Sequence, residues 1–129
     1  MAISTDGIDL NGFEGDTPPD RKNCRIYVDA DGLLVLDQEP LRRGVHDTHP
    51  LIWRLSMSQP FIFPDDSAIV LSGDPLPPDF ASGVFGAQKK VFLCNYTRTG
   101  PAVWKYTVRV IHKETLEPLT TLDPSVFQN

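Results

Sequence analysis

Residues 103–111 read Val103-Trp104-Lys105-Tyr106-Thr107-Val108-Arg109-Val110-Ile111. Trp104, Tyr106, Val108 and Val110 share one parity, while Lys105, Thr107 and Arg109 share the other. A period of two, carried by β-branched and aromatic residues, is the signature of a half-buried strand. A helix would scatter the same apolar residues around its circumference.

The neighbouring segments repeat this reading. Thr99-Gly100-Pro101 turns the strand back onto Val91-Phe92-Leu93-Cys94-Asn95-Tyr96. Leu51, Trp53, Leu55 and Met57 alternate with Ile52, Arg54 and Ser56, and Cys24, Ile26 and Val28 share one face. Asp31-Gly32 between Ile26-Tyr27-Val28 and Leu33-Leu34-Val35-Leu36 is a hairpin signal, because Gly accepts the positive φ of a tight turn. Shorter strands are predicted at Phe61-Ile62-Phe63, which Pro64 stops, at 67–72 and at 116–122.

Twelve prolines and nine glycines punctuate the 129 residues. Only 20–31, 87–99 and 102–117 are free of both for the length of an average helix, about 11–12 residues. The 73–88 segment, with Pro75, Pro77 and Pro78, is predicted to be a long ordered surface loop held by Phe80 and Phe85. The sum is an all-β domain over residues 21–129, an antiparallel two-sheet β-sandwich of immunoglobulin-like type with about seven or eight strands. Its predicted core is Ile26, Val28, Leu34, Leu36, Trp53, Leu55, Leu71, Phe92, Trp104, Tyr106, Val108 and Val110.

The charge is unevenly placed. Residues 1–20 hold five acids (Asp6, Asp9, Glu14, Asp16, Asp20) and no base, leaving 12 acids against 12 bases in the rest. The whole net charge of −5 therefore resides in this N-terminal segment. It reads as a solvated tail. The alternative is an added edge strand or a cover for a basic face, anchored by Ile8, Leu10 and Phe13 and received by Arg54, Lys105 and Arg109. Those three outward bases are the candidate interaction residues. The acidic balance argues against a dedicated phosphate-backbone binder, so nucleic acid is not an expected partner. The first residues lack a basic then apolar pattern, and no apolar run approaches the ~20 residues that span a bilayer. A cytoplasmic protein with two reduced thiols and no membrane partner is expected.

Few residues suggest chemistry. His46-Asp47-Thr48-His49 would give two metal ligands, with His112 as a third from another strand, but zinc sites normally need three or four in concert. A surface turn feeding the next strand explains the same residues. With Asp79, His46, Asp47 and His49 form the candidate ligand-binding set, for a carbohydrate or other small molecule or for hydrolysis at the loops. Asp29-Ala30-Asp31-Gly32 resembles part of a calcium loop, yet Tyr27 and Gln38 stand where oxygen ligands are needed. Asp65, Asp66 and Asp74 read as turn caps. There is no G-x-S-x-G elbow, no P-loop and no G-x-G-x-x-G, and no blue-copper pattern follows Cys94. No cofactor is implied.

Cys24 and Cys94 are placed to face each other across a sandwich, with Trp53 between them in sequence. The pattern departs from immunoglobulin domains, because Trp53 comes late and Phe92 stands where a corner Tyr belongs. The run Tyr106-Thr107-Val108-Arg109-Val110, with Leu122-Asp123-Pro124 and Asn129, resembles the end of small uncharacterised bacterial β-sandwich proteins. That resemblance implies the fold and a bacterial source, and brings no activity or catalytic residue. The expected function is a non-catalytic interaction module that forms a homo-oligomer, in the simplest case a dimer, through a sheet edge or face.

Overall fold

A computed structural model of the chain describes residues 7–15, 23–38, 41–43, 50–72, 81–95, 102–120 and 125–128. Among them are eleven strands and no helix: β1 Asn23–Val28, β2 Leu34–Leu36, β3 Leu41–Arg43, β4 Leu51–Leu55, β5 Phe61–Ile62, β6 Ile69–Ser72, β7 Ala81–Phe85, β8 Val91–Asn95, β9 Ala102–His112, β10 Pro118–Thr120 and β11 Ser125–Gln128. They form two open sheets. One has the order β2-β1-β4-β8-β7, and the other is built around β9, which pairs with β10, β11, β5 and β6, with β3 beyond β11.

The period-two stretch is thus the spine of the second sheet. The eleven residues of β9 that contain it are long enough to hold four partners. The Asp31-Gly32 hairpin forms as its residues demand. Val28 faces Leu34, Gly32 has φ +79°, and Asp29 Oδ1 accepts the backbone N–H of Asp31 and Leu33, both at 2.9 Å. This carboxylate is committed to a turn, so the segment is not a calcium loop.

Three expectations need correction. The pairing is not purely antiparallel, because β1 runs parallel to β4 and β11 parallel to β3. The 73–88 segment is not loop throughout: residues 81–85 form β7, paired with β8 from Ala81–Asn95 to Phe85–Val91, while 73–80 lie outside the described residues. Ala-Ser-Gly-Val-Phe has little strand propensity, and the ready edge of β8 supplies what propensity does not. Finally, Cys24 and Cys94 lie in the same sheet. Cys24 of β1 pairs with Trp53 of β4, and Cys94 of β8 pairs with Leu51 of β4. Two strand spacings put their backbones about 10 Å apart, too far for a disulfide. Both are buried, and neither is in a disulfide.

The sheets share one core. Trp53 meets Tyr106 from the other sheet at 5.2 Å between ring centroids and its neighbour Phe92 at 5.9 Å, both edge-on. Each such pair contributes about 0.5–1.5 kcal/mol beyond the area it buries. Ile26, Trp53, Leu55, Phe92, Tyr106, Val108 and Val110 are buried as predicted, and Leu34 and Leu36 pack against them half-buried. Val28 is half-buried at the end of β1. The side chains of Leu71 and Trp104 lie outside the described residues. Phe63, Ala68 and Ile69 join the core without a period-two signal of their own.

A second, smaller cluster covers the opposite face of the first sheet. Ile52, Val91 and Leu93 are buried there under Ile8, Leu10 and Phe85. Residues 8–13 run across this face. Arg54 Nη1 donates to the carbonyls of Asp9 (2.7 Å) and Asn11 (2.6 Å). The Phe13 N–H donates to Leu55 O, and the Met57 N–H to Phe13 O. Gly12 passes so close to the carbonyl of Leu55 that a β-carbon would collide with it, and Gly86 meets Leu10 O in the same way. The strand β8 is therefore buried on both faces, which explains its unbroken apolar run.

Candidate functional site

Lys90 immediately precedes β8 and has the parity of Phe92 and Cys94, the core-facing residues of that strand. A lysine on that parity must be buried or break the pattern. It is buried, with 5% of its surface exposed. Its Nζ donates to the carbonyl oxygens of Gln59 (2.6 Å) and Phe61 (2.5 Å), where the chain turns from β4 into β5. The turn is itself pinned to the end of β1: Gln59 Oε1 accepts the Val28 N–H at 2.8 Å, and Gln59 Nε2 donates to Val28 O at 2.7 Å. From β9, the backbone N–H of Lys113 donates to Pro60 O, bringing a second lysine to the same turn.

Met57, Gln59, Ile62, Gln88, Lys90 and Lys113 line a cavity of about 350 Å³. No carboxylate of the described residues lines it. Burial holds the Lys90 ammonium below the ordinary lysine range, and the Lys113 charge pushes in the same direction. The two carbonyl acceptors oppose this, because they favour the protonated amine. Burial beside a second cation is also how imine-forming lysines are activated, but no other acid or base among the described residues that line the cavity stands ready to move the protons imine formation needs, and the two lysines leave an anion as the partner that their charges favour. The adjacent Lys89 turns away, with φ +55°, and pairs with exposed Asp65 at 2.9 Å.

The residues singled out in the sequence are placed differently. His46, Asp47, His49, Asp74 and Asp79 lie outside the described residues. His112 ends β9, where its Nδ1 accepts the backbone N–H groups of Glu114 (3.2 Å) and Thr115 (3.4 Å) and its ring meets Phe61 edge-on. It shapes a turn. Among the described residues, no group of three or more His, Cys, Asp or Glu is arranged to hold a metal. Asp66 is exposed. Arg54 is half-buried beneath residues 9–11, whereas Lys105 and Arg109 are exposed on β9 of the other sheet. The three bases do not form one face. Lys90 and Lys113 were legible only as a parity violation and as a base beyond a strand end.

The sheet edges differ in how they are protected. β2, β3, β5 and β10 are two or three residues long, β3 carries Arg42 and Arg43, and β10 begins with Pro118. Short length, charge and proline all discourage edge-to-edge pairing. β6 and β7 lack these features, and β7 is the longer, five residues with no charge and no proline. Among the described residues β7 pairs on one side only, with β8.

Compared with protein-family models and with curated proteins, the sequence matches none. No helix among the described residues is long and apolar enough to cross a membrane.

Proposed function

We propose that the protein is a non-catalytic interaction module that forms a dimer through the β7 edge, on an immunoglobulin-like β-sandwich scaffold in the cytoplasm. The carrying observation is that edge: five uncharged residues with one partner strand among the described residues. A strand that meets its own copy about a two-fold axis pairs antiparallel with itself, so one surface serves both partners. Two sheets closing on the Trp53 core support the sandwich reading. Two buried cysteines without a disulfide suit a reducing compartment. The second reading is a small-ligand-binding sandwich; the lysine-lined cavity favours it, at residues other than the loop histidines.

Sedimentation velocity over a range of concentrations tests the first reading. Ser82 is exposed on β7, and a charge on an edge strand blocks pairing without disturbing the core. The wild type and Val70→Lys on β6 are expected to dimerise, and Ser82→Lys to remain a folded monomer with an unchanged far-ultraviolet circular dichroism spectrum. A wild type that is monomeric throughout overturns the reading. Dissociation by Val70→Lys but not Ser82→Lys overturns the edge assignment.

A further inference from the structure

We propose that the cavity between the 56–62 turn and the start of β8 binds a small organic carboxylate, whose oxyanion lies between the Lys90 and Lys113 ammonium groups and whose apolar part lies on Met57 and Ile62. Three observations meet here. First, Lys90 is a buried cation whose partners are two neutral carbonyls, and no carboxylate of the described residues pairs with it. Buried charges are normally matched by an opposite charge, because desolvation is costly. Second, an ammonium has three donors. Two go to Gln59 O and Phe61 O, which leaves one for an occupant of the cavity. Third, Lys113 brings a like charge to the same cavity instead of a compensating one. Two like charges around one concavity repel, and an anion between them turns that repulsion into attraction.

The size and lining narrow the ligand. About 350 Å³ is at the small end of ligand cavities. Met57, whose sulfur accepts the Gly12 N–H at 3.2 Å, and Ile62 line the cavity and add an apolar wall that a bare inorganic ion leaves unused. Gln59 is held to Val28 through both ends of its amide, so it forms a fixed part of the wall. The recognised class is therefore a carboxylate with a short hydrocarbon part.

The test uses the full-length ¹⁵N-labelled protein at constant chloride. Amide shifts are followed while inorganic phosphate or a straight-chain carboxylate, acetate through hexanoate, is added. Saturable shifts are expected at Met57, Ile62, Gln88 and Lys113. Affinity should rise roughly three- to fourfold for each added methylene until the cavity is full. Lys113 is exposed, so Lys113→Ala should fold normally and bind at least tenfold more weakly, and Lys113→Glu should not bind. Lys90→Met removes the second charge, but its reading depends on a retained fold, which the Lys113 variants do not. Four results overturn the proposal: no saturable shift with any carboxylate, no dependence on chain length, phosphate binding as tightly as hexanoate, or undiminished affinity in Lys113→Ala. None of them bears on the oligomeric state.

Discussion

Cys24 shows how far burial alone can set the chemistry of one residue. Desolvation pushes its thiol up to about 12, only partly offset by the hydrogen bond to Gln38 O. A thiol held neutral is a poor nucleophile. Ellman's reagent at pH 8 is therefore expected to label neither Cys24 nor Cys94 in the native protein and both after unfolding; a fast-reacting native thiol would contradict this. The raised value also makes stability depend on pH. Between about 9 and 12 the unfolded chain loses the Cys24 proton while the folded chain keeps it, so stability falls as pH rises. Lys90 acts in the opposite sense. Its lowered value means that the folded chain sheds a proton before the unfolded one, so its contribution grows as pH approaches 10.5. Urea unfolding of Cys24→Ala and Lys90→Met across the alkaline range is expected to separate the two slopes. Neither residue advertised this in sequence, because the signal is an environment and not a motif.

At the scale of the element, β4 carries the most. Its odd-numbered side chains, Leu51, Trp53 and Leu55, enter the shared core, and Ile52 enters the second cluster. Trp53→Ala is expected to cost about 3–5 kcal/mol in denaturant unfolding, the range for large aromatic deletions. Arg54, between them, bonds two carbonyls of the N-terminal segment. Charge-assisted bonds of this kind contribute roughly 1.5–3 kcal/mol when both partners are withdrawn from water, and less at a half-buried site. In Arg54→Ala, amide exchange at Phe13 and Met57 should speed up while that at Trp53 and Phe92 stays slow. Equal protection in both proteins would show that the apolar anchors suffice. The strand was plain from its alternation. That its outward arginine serves residues 9–11 was not, since outward parity promises only solvent.

For the whole molecule, the question is what covers each sheet face. Removing residues 1–15 would expose Ile52, Val91 and Leu93 together. The truncated protein is expected to bind the dye ANS and to unfold at a lower Tm, while full-length protein does neither. The all-β class, the central strand at 103–111 and most of the core were legible, because alternation reports directly on which side chains face inward. The parallel pairs β1–β4 and β11–β3 were not, because they join segments distant in sequence that no turn connects. The same limit explains Cys24 and Cys94. A parity gives a face but not the sheet to which the face belongs.

By itself, the sequence determined local conformation: alternation made strands, and Gly and Pro excluded long helices and set turns such as Asp29–Leu33. It also determined that the excess negative charge lies in residues 1–20. Only the tertiary structure decided that Ile8 and Leu10 have a surface to cover, that Phe13 lies under the Arg25 guanidinium, that both cysteines share a sheet, and that Lys90 and Lys113 border one cavity. The reason is physical. Local conformation follows from backbone sterics and side-chain period within a few residues, whereas burial and electrostatic surroundings are set by partners far along the chain.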